Sequence, residues 1–138
     1  MKRFCYYQPN AMDHRDMFGD CQIRALSKAL NCTWMEAFDK AVRICRTEQA
    51  SMLFSVPVTI RNRMLDKLGF DYHGISNKKG SERPTVASFA KDHPTGTYIC
   101  CVANHVVAVV NGRYYDTWDC GWRCLYGYFE LRPTTHSA

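Results

Sequence analysis

The sequence predicts an α+β domain in which N-terminal helices pack on a C-terminal antiparallel β-sheet. Apolar residues recur at helical spacing between Cys21 and Leu68, whereas β-branched and aromatic runs dominate from Thr97 onward. No repeat, linker or low-complexity block interrupts the 138 residues. We therefore expect one domain over residues 1–138, with the helices preceding the sheet.

The chain is predicted to begin with a strand, a loop and a helix. Aromatic residues over Phe4–Gln8 indicate the strand, and a loop follows through Asp20. A helix is then expected over residues 21–30, because its apolar residues recur with helical period. These residues are Ile23, Leu26 and Leu30.

Two further helices are predicted from start and stop signals. Thr33 and Glu36 match a capping box, so a second helix is expected to start at Thr33. Its apolar stripe is Met35, Phe38, Val42 and Cys45. A third helix over residues 58–68 ends before Gly69, which stands in the favoured position just past a helix.

The middle of the chain is predicted to hold a loop and a short helix. Residues 71–83 are polar and indicate an exposed loop centred on residues 77–80. Thr85 then caps a helix that runs through His93 and stops before a proline.

The C-terminal part of the chain is predicted to be a sheet built around a hairpin. Asn111-Gly112 is a strong signal for a two-residue hairpin turn, because both residues tolerate a positive φ. The β-branched and aromatic runs that form the strands are residues 97–103, 105–110, 113–118 and 125–131.

The composition indicates which classes of binding partner and which cellular compartment to expect. The net charge of +5 favours an anionic ligand, but no dense basic run supports nucleic-acid binding. No apolar run reaches the length of a signal peptide or of a membrane span, so we expect a cytoplasmic protein with no membrane partner. The eight cysteines are then expected to be reduced thiols.

Cys21 is the candidate nucleophile because it stands at the predicted N-terminus of the first helix. The unpaired backbone N–H groups and the positive end of the helix dipole favour a thiolate there, which lowers the pKa of the thiol. Two of the same N–H groups could also bind an oxyanion.

The register of the hairpin selects a histidine and a carboxylate. A two-residue turn pairs Val110 with Arg113, and counting outward places His105 and Asp116 on one face within reach of each other. Asp119 falls on the opposite face. A thiol, an imidazole and a carboxylate that orients the imidazole together make an activated nucleophile.

These segments carry a resemblance to a known group of enzymes. Gly19-Asp20-Cys21 opening a helix, followed by the hairpin from His105 to Asp116, resembles the papain-like cysteine peptidase superfamily. The likeness is greater to its small bacterial branch, which includes the bacteriocin-processing peptidases, and to short proteins of phages and Firmicutes. The resemblance implies a thiol hydrolase without a cofactor, with Cys21 as nucleophile, His105 as base and Asp116 as orienting residue.

Four further residues are candidates for binding the substrate, which we expect to be a peptide or a small acyl or amide compound. The superfamily uses a glutamine before the cysteine in its oxyanion hole, and Gln8 stands thirteen positions before Cys21. Arg24 and Lys28 lie about 60° and 20° from Cys21 around the helix axis, where they favour the thiolate or hold an anionic group. Trp118 belongs to an aromatic stretch that could line a groove.

Two alternatives remain open. The fold could serve as a binding module, for instance a phage-encoded protein that uses Arg24, Lys28 and the aromatic hairpin to sequester an anionic small molecule or inhibit a host protein. The chain could instead be a structural zinc domain. Its ligands would be drawn from Cys120, Cys124, Cys100, Cys101 and His105.

Overall fold

The computed structural model describes residues 2–10, 20–47, 58–76 and 82–133. Within these ranges the chain is an α+β fold with four helices and a six-stranded mixed sheet. The helices are α1 (Cys21–Ala29), α2 (Trp34–Thr47), α3 (Val58–Lys67) and α4 (Val86–Asp92). The strands are β1 (Phe4–Tyr6), β2 (Phe70–Gly74), β3 (Thr97–Val102), β4 (His105–Val110), β5 (Arg113–Asp116) and β6 (Gly127–Leu131).

The predicted helices are confirmed, and their local signals act as expected. Thr33 and Glu36 form a capping box in which each side chain bonds the backbone N–H of the other residue, at 3.1 and 3.2 Å. The Thr85 side chain accepts from the backbone N–H of Ser88 at the start of α4. Gly69 has a φ of 103° just past α3, a conformation that favours glycine.

The buried face of α2 differs from the predicted stripe. Met35 is 53% exposed, whereas Cys45 of the predicted stripe is buried. The buried residues are Trp34, Ala37, Ala41 and Cys45. Three of them lie one position before Met35, Phe38 and Val42 respectively, and Phe38 packs only partly buried against the core.

The sheet has the strand order β1-β5-β4-β3-β6-β2. β1 pairs with β5 in parallel, with Phe4 opposite Tyr114, while the other neighbours are antiparallel. The prediction of a purely antiparallel sheet is therefore wrong at one edge. Strand pairing across more than a hundred residues leaves no trace in the local sequence.

The predicted loop over residues 71–83 is wrong in its first part, because β2 occupies residues 70–74 and pairs with β6. β2 is an edge strand, and only Phe70 of its five residues is buried. The alternation that marks a half-buried strand is consequently missing. The predicted loop centre, residues 77–80, lies outside the described residues, as do residues 11–19 of the predicted N-terminal loop.

The hairpin between β4 and β5 has the predicted register. Val110 pairs with Arg113, and the turn residues Asn111 and Gly112 have φ values of 49° and 79°. Positive φ at both positions matches a type I′ turn. β5 ends at Asp116 rather than at Trp118, so the chain leaves the sheet directly after the carboxylate.

Apolar side chains pack on both faces of the sheet. On one face, Leu26 of α1 belongs to a cluster with Cys101 and Ala108, and most of the buried residues of α2 and α3 join it. On the other face, Phe89 of α4 packs in a cluster with Cys100. The prediction of helices on the sheet thus holds for α1–α3 on one face, while α4 covers the opposite face. None of the helices in the described ranges is long and apolar enough to cross a membrane.

Candidate functional site

Cys21 is the first residue of α1, and all eight cysteines are free thiols, as predicted. Asp20 precedes it, but within the described ranges its side chain makes no capping bond to α1. The Asp20 carboxylate instead binds the guanidinium of Arg24 and accepts from Asn10 Nδ2 at 3.3 Å. The N–H groups of the first turn are therefore not taken by a side-chain cap from Asp20.

His105 and Asp116 meet where the hairpin opens, since one is the first residue of β4 and the other is the last residue of β5. His105 Nε2 lies 2.5 Å from Asp116 Oδ2. Both side chains are largely buried, at 10% and 3% exposure. The strand register deduced from the hairpin turn correctly predicted that this histidine and this carboxylate lie close together.

The Cys21 sulfur hydrogen-bonds to His105 and to the backbone of Val106. Burial alone raises the pKa of the thiol, but these two bonds and the positive charges of His105 and Arg24 outweigh it. The pKa of Cys21 is consequently lowered from its ordinary value. A lowered pKa increases the fraction of Cys21 that is thiolate at a given pH.

The pKa values of His105 and Asp116 move apart because the two groups stabilise each other as an ion pair. Burial opposes the charge on His105, but hydrogen bonds with Asp116, Cys120 and Cys21 raise its pKa to about 11. Burial likewise opposes the charge on Asp116, and the bond to His105 lowers the pKa of this carboxyl below its ordinary value. Imidazolium and carboxylate are thus the favoured forms.

The Asp116 carboxylate is held by donors on both of its oxygens. Oδ2 is near His105 Nε2 and accepts from Cys120 Sγ at 3.4 Å. Oδ1 accepts from the backbone N–H of Thr117 at 2.8 Å and from Arg24 Nη2 at 3.3 Å. Four contacts from separate residues fix the orientation of the carboxylate and, through it, of the imidazole.

Arg24 connects α1 to the end of β5. Its Nη1 binds Asp20, its Nη2 binds Asp116, and its side chain is 12% exposed. From the sequence, this arginine was predicted either to favour the Cys21 thiolate or to bind an anionic group of the substrate. Its charge does lower the pKa of Cys21, whereas its guanidinium already faces two buried carboxylates.

Lys28 and Trp118 occupy different surroundings. The Lys28 ammonium lies 4.0 Å from the ring centre of Tyr115 and 5.6 Å from that of Tyr7, a cation–π arrangement. The Trp118 ring centre lies 5.0 Å from that of His105, and the residue is 38% exposed. Trp118 therefore borders the imidazole, while Lys28 is held among aromatic rings.

Gln8 follows β1 in a segment that packs beside α1. The Tyr7 backbone N–H donates to the Asp116 carbonyl at 2.8 Å, and the Tyr7 hydroxyl bonds Ser27 Oγ at 2.7 Å. Gln8 Oε1 accepts from the backbone N–H of Asn10 at 3.0 Å. Tyr7, the residue before Gln8, thus contacts α1 and the end of β5, while the Gln8 side chain contacts Asn10.

Asp119 is bonded away from His105, but the hairpin register does not determine its position, because β5 ends at Asp116. Its carboxylate accepts from the Tyr114 hydroxyl at 2.5 Å and from the backbone N–H of Gly121 at 3.0 Å. The Asp119 carboxylate thus stabilises the turn that follows β5. Asp116 is the carboxylate that bonds His105.

The zinc site suggested by the sequence is not assembled as predicted. Among the described residues, the one group of three metal-ligating side chains is His105, Asp116 and Cys120, whose ligand atoms lie within 4.8 Å of one another. Cys124 is exposed and outside this group. Cys100 and Cys101 are buried on opposite faces of β3.

Sequence reasoning missed the contacts of Cys120, Asn10 and the Asp20 side chain with this site. Cys120 lies beyond the end of β5, where the period of a strand no longer determines the direction of a side chain. Cys120 follows Asp116 by only four residues, which indicated that the two side chains could be close. Their contact could be inferred only from the path of the chain after β5.

The chain was compared with protein-family models, with curated proteins and with solved structures. None of the three comparisons produced a match.

Proposed function

We propose that the protein is a cysteine-dependent hydrolase with a papain-like fold, which acts on a peptide or a small acyl or amide substrate. The observation that carries this proposal is the position of His105. Its imidazole bonds the Cys21 sulfur and lies 2.5 Å from the Asp116 carboxylate, in a largely buried setting. Thiol, imidazole and carboxylate in this order match the arrangement that activates a nucleophilic cysteine.

The first half of the proposed reaction forms an acyl-enzyme. Because His105 Nε2 is committed to Asp116, Nδ1 is the nitrogen that can exchange a proton with the Cys21 thiol. The thiolate attacks the substrate carbonyl carbon, and the oxyanion is received by backbone N–H groups at the start of α1, with Gln8 as a candidate further donor. His105 then protonates the leaving amine as the C–N bond breaks.

The second half releases the acyl group. Neutral His105 takes a proton from water, the resulting hydroxide attacks the thioester, and Cys21 leaves as a thiolate. The same residues serve peptide cleavage, deamidation or acyl transfer, because these reactions differ in the leaving group or the acceptor. Peptide cleavage is our first proposal, with the exposed ring of Trp118 beside His105 as a surface for the substrate.

Two features of the fold support the papain-like assignment. The nucleophile opens a helix that packs against the strand carrying the histidine, and the chain order is cysteine, histidine, carboxylate. The N-terminal segment also runs beside that helix, as a contribution of Gln8 to the oxyanion hole requires.

Selective alkylation tests the proposal. Iodoacetamide near neutral pH is expected to label Cys21 faster than the exposed Cys124, with the adducts located by peptide mass analysis. His105→Ala should remove this preference, because it removes the hydrogen bond and the positive charge that lower the pKa of Cys21. Equal labelling of Cys21 and Cys124 in the unaltered protein would contradict the proposal.

The binding-module alternative makes a different demand on the same residues. It needs cationic side chains that are free to grip an anion, yet Arg24 binds two carboxylates and Lys28 lies against Tyr115. Native mass spectrometry of the purified protein addresses this alternative. A retained anionic ligand together with an unreactive Cys21 would favour it over the hydrolase.

A further inference from the structure

Cys120 is a buried nucleophilic side chain that the proposed reaction does not use. It is 0% exposed and lies in the segment that follows β5. Its Sγ is 3.4 Å from Asp116 Oδ2, and it also hydrogen-bonds with His105. A second thiol thus contacts the histidine and the carboxylate on which the proposed catalysis depends.

We propose that His105, Asp116 and Cys120 form a binding site for a divalent transition metal ion of the zinc type. An imidazole nitrogen, a carboxylate oxygen and a thiolate sulfur are the donors that zinc prefers. The three ligand atoms lie within 4.8 Å of one another, so one ion can reach them all after a small adjustment. Three protein ligands leave a fourth tetrahedral position open.

The spacing of the ligand atoms indicates the size of that adjustment. Tetrahedral coordination with zinc–ligand bonds of about 2.0–2.3 Å places neighbouring ligand atoms roughly 3.4 Å apart. The distance from Cys120 Sγ to Asp116 Oδ2 is already 3.4 Å. The distance from His105 Nε2 to Asp116 Oδ2 is 2.5 Å, and it has to lengthen by roughly 0.9 Å as the ion replaces the shared proton.

The charges of the site suit a divalent cation. A carboxylate and a thiolate together balance the two charges of the ion, and the protons displaced from Cys120 and from His105 Nε2 pass to solvent. The nearby positive charge that repels the ion is that of Arg24. One of its terminal guanidinium nitrogens binds Asp116, and the other binds the Asp20 carboxylate. The Asp116 oxygen that faces Cys120 and His105 is Oδ2, whereas Arg24 binds Oδ1.

Metal binding would switch off the hydrolase, a consequence that rests on the proposed function. With Nε2 bound to the ion, the imidazole keeps its remaining hydrogen on Nδ1, because losing it would leave an imidazolate. His105 could then neither accept the proton of water nor pass a proton to the leaving group. The metal would therefore act as a reversible inhibitor.

Cobalt(II) titration of the purified protein tests the site directly. We expect one Co²⁺ per chain, with the near-ultraviolet absorption of a thiolate-to-cobalt transition. Cys120→Ser, which keeps a hydrogen-bond donor to Asp116, should remove this absorption and weaken binding by more than about a hundredfold, since even changes in outer-shell partners cost about 10–100-fold. Cys21→Ser and the matched control Cys124→Ser should retain both.

Circular dichroism and the thermal midpoint of each variant show that it is folded. An absent charge-transfer band in the unaltered protein, or a band and affinity that survive in folded Cys120→Ser, would overturn the metal site.

Zinc protection of Cys21 tests the regulatory consequence separately. Stoichiometric Zn²⁺ should slow alkylation of Cys21 in the unaltered protein and in Cys124→Ser, because a metal-bound imidazole is no longer the imidazolium that favours the Cys21 thiolate. Within Cys120→Ser the rates with and without zinc should agree. Equal rates with and without zinc in the unaltered protein would overturn the inhibition. A Cys21 that is unreactive before zinc is added would count against the hydrolase, whereas the cobalt result decides the metal site on its own.

Discussion

The Asp116 carboxylate is the residue on which the site depends most, because it bonds four donors from four different residues. It raises the pKa of His105, and the protonated histidine in turn lowers the pKa of Cys21. The negative charge of the Asp116 carboxylate thus affects the pKa of Cys21 through the imidazole of His105. The reactivity of Cys21 should consequently respond to a change that does not touch the cysteine.

Asp116→Asn is expected to reduce alkylation of Cys21 near pH 6 by at least about tenfold. Loss of the carboxylate charge lowers the pKa of His105 and raises that of Cys21, and one pKa unit changes the thiolate fraction tenfold. The measurement is the rate of iodoacetamide labelling between pH 5 and 9. Asp119→Asn is the matched control, since Asp119 bonds Tyr114 and Gly121. Identical profiles for the two variants would argue against the role of Asp116.

At the scale of secondary-structure elements, Arg24 fastens α1 to the sheet. It joins Asp20 before the helix to Asp116 at the end of β5, and the Tyr7–Ser27 bond ties the same helix to the chain after β1. Cys21 precedes both attachments on the helix. The position of the thiol relative to His105 is therefore set by the contacts of α1 with the end of β5 and with the chain after β1.

Arg24→Met is expected to destabilise the fold by about 3–5 kcal/mol, because it leaves two buried carboxylates without their cation. Arg24→Lys should lose less, since lysine keeps the charge but lacks the two-pronged geometry that spans both carboxylates. Urea unfolding measures the difference. Lys91→Met, an exposed position of α4, is the control and should change stability by less than about 0.5 kcal/mol. An Arg24→Met variant as stable as this control would refute the bridging role.

The elements that could be predicted from the sequence are those with local signals. The capping residues Thr33 and Thr85 fixed two helix starts, and Asn111-Gly112 fixed a turn whose register alone brings His105 to Asp116. The parallel pairing of β1 with β5 could not be predicted, since it joins residues about a hundred positions apart.

The parts of the site that the sequence could not reveal depend on irregular backbone. Cys120 reaches Asp116 through the turn after β5, and Asn10 reaches Asp20 across a segment without regular structure. Hydrophobic periodicity gives no direction to side chains in such segments. Arg24 was found from helix geometry, but its binding of two carboxylates required the position of β5.

For the whole molecule, the ion pair of His105 and Asp116 links stability to pH. The pKa of His105 is raised from 6.5 to about 11, so its contribution is fully present below about pH 6.5 and is lost as pH rises toward 11. The pKa of Asp116 is lowered from 3.8, so its contribution is present above pH 3.8 and is lost as pH falls through the lowered value.

We therefore expect the stability advantage of His105 over glutamine to shrink between pH 6.5 and 11. Urea unfolding of Cys21→Ala and of Cys21→Ala with His105→Gln measures it, since the shared alanine removes the titration of the thiol from both. The difference in unfolding free energy should be largest near pH 6 and should fall steadily above it. A difference that stays constant up to pH 11 would show that the histidine carries no raised pKa.

The pairing of β1 with β5 has a consequence for the order in which the protein is made. A nascent chain that extends to residue 100 contains the thiol and its helix, but neither the imidazole of His105 nor the carboxylate of Asp116. Such a chain cannot place the thiol beside the imidazole, and β1 cannot pair until β5 has been synthesised. Any enhanced reactivity of Cys21 should therefore arise only after Asp116 has been added to the chain.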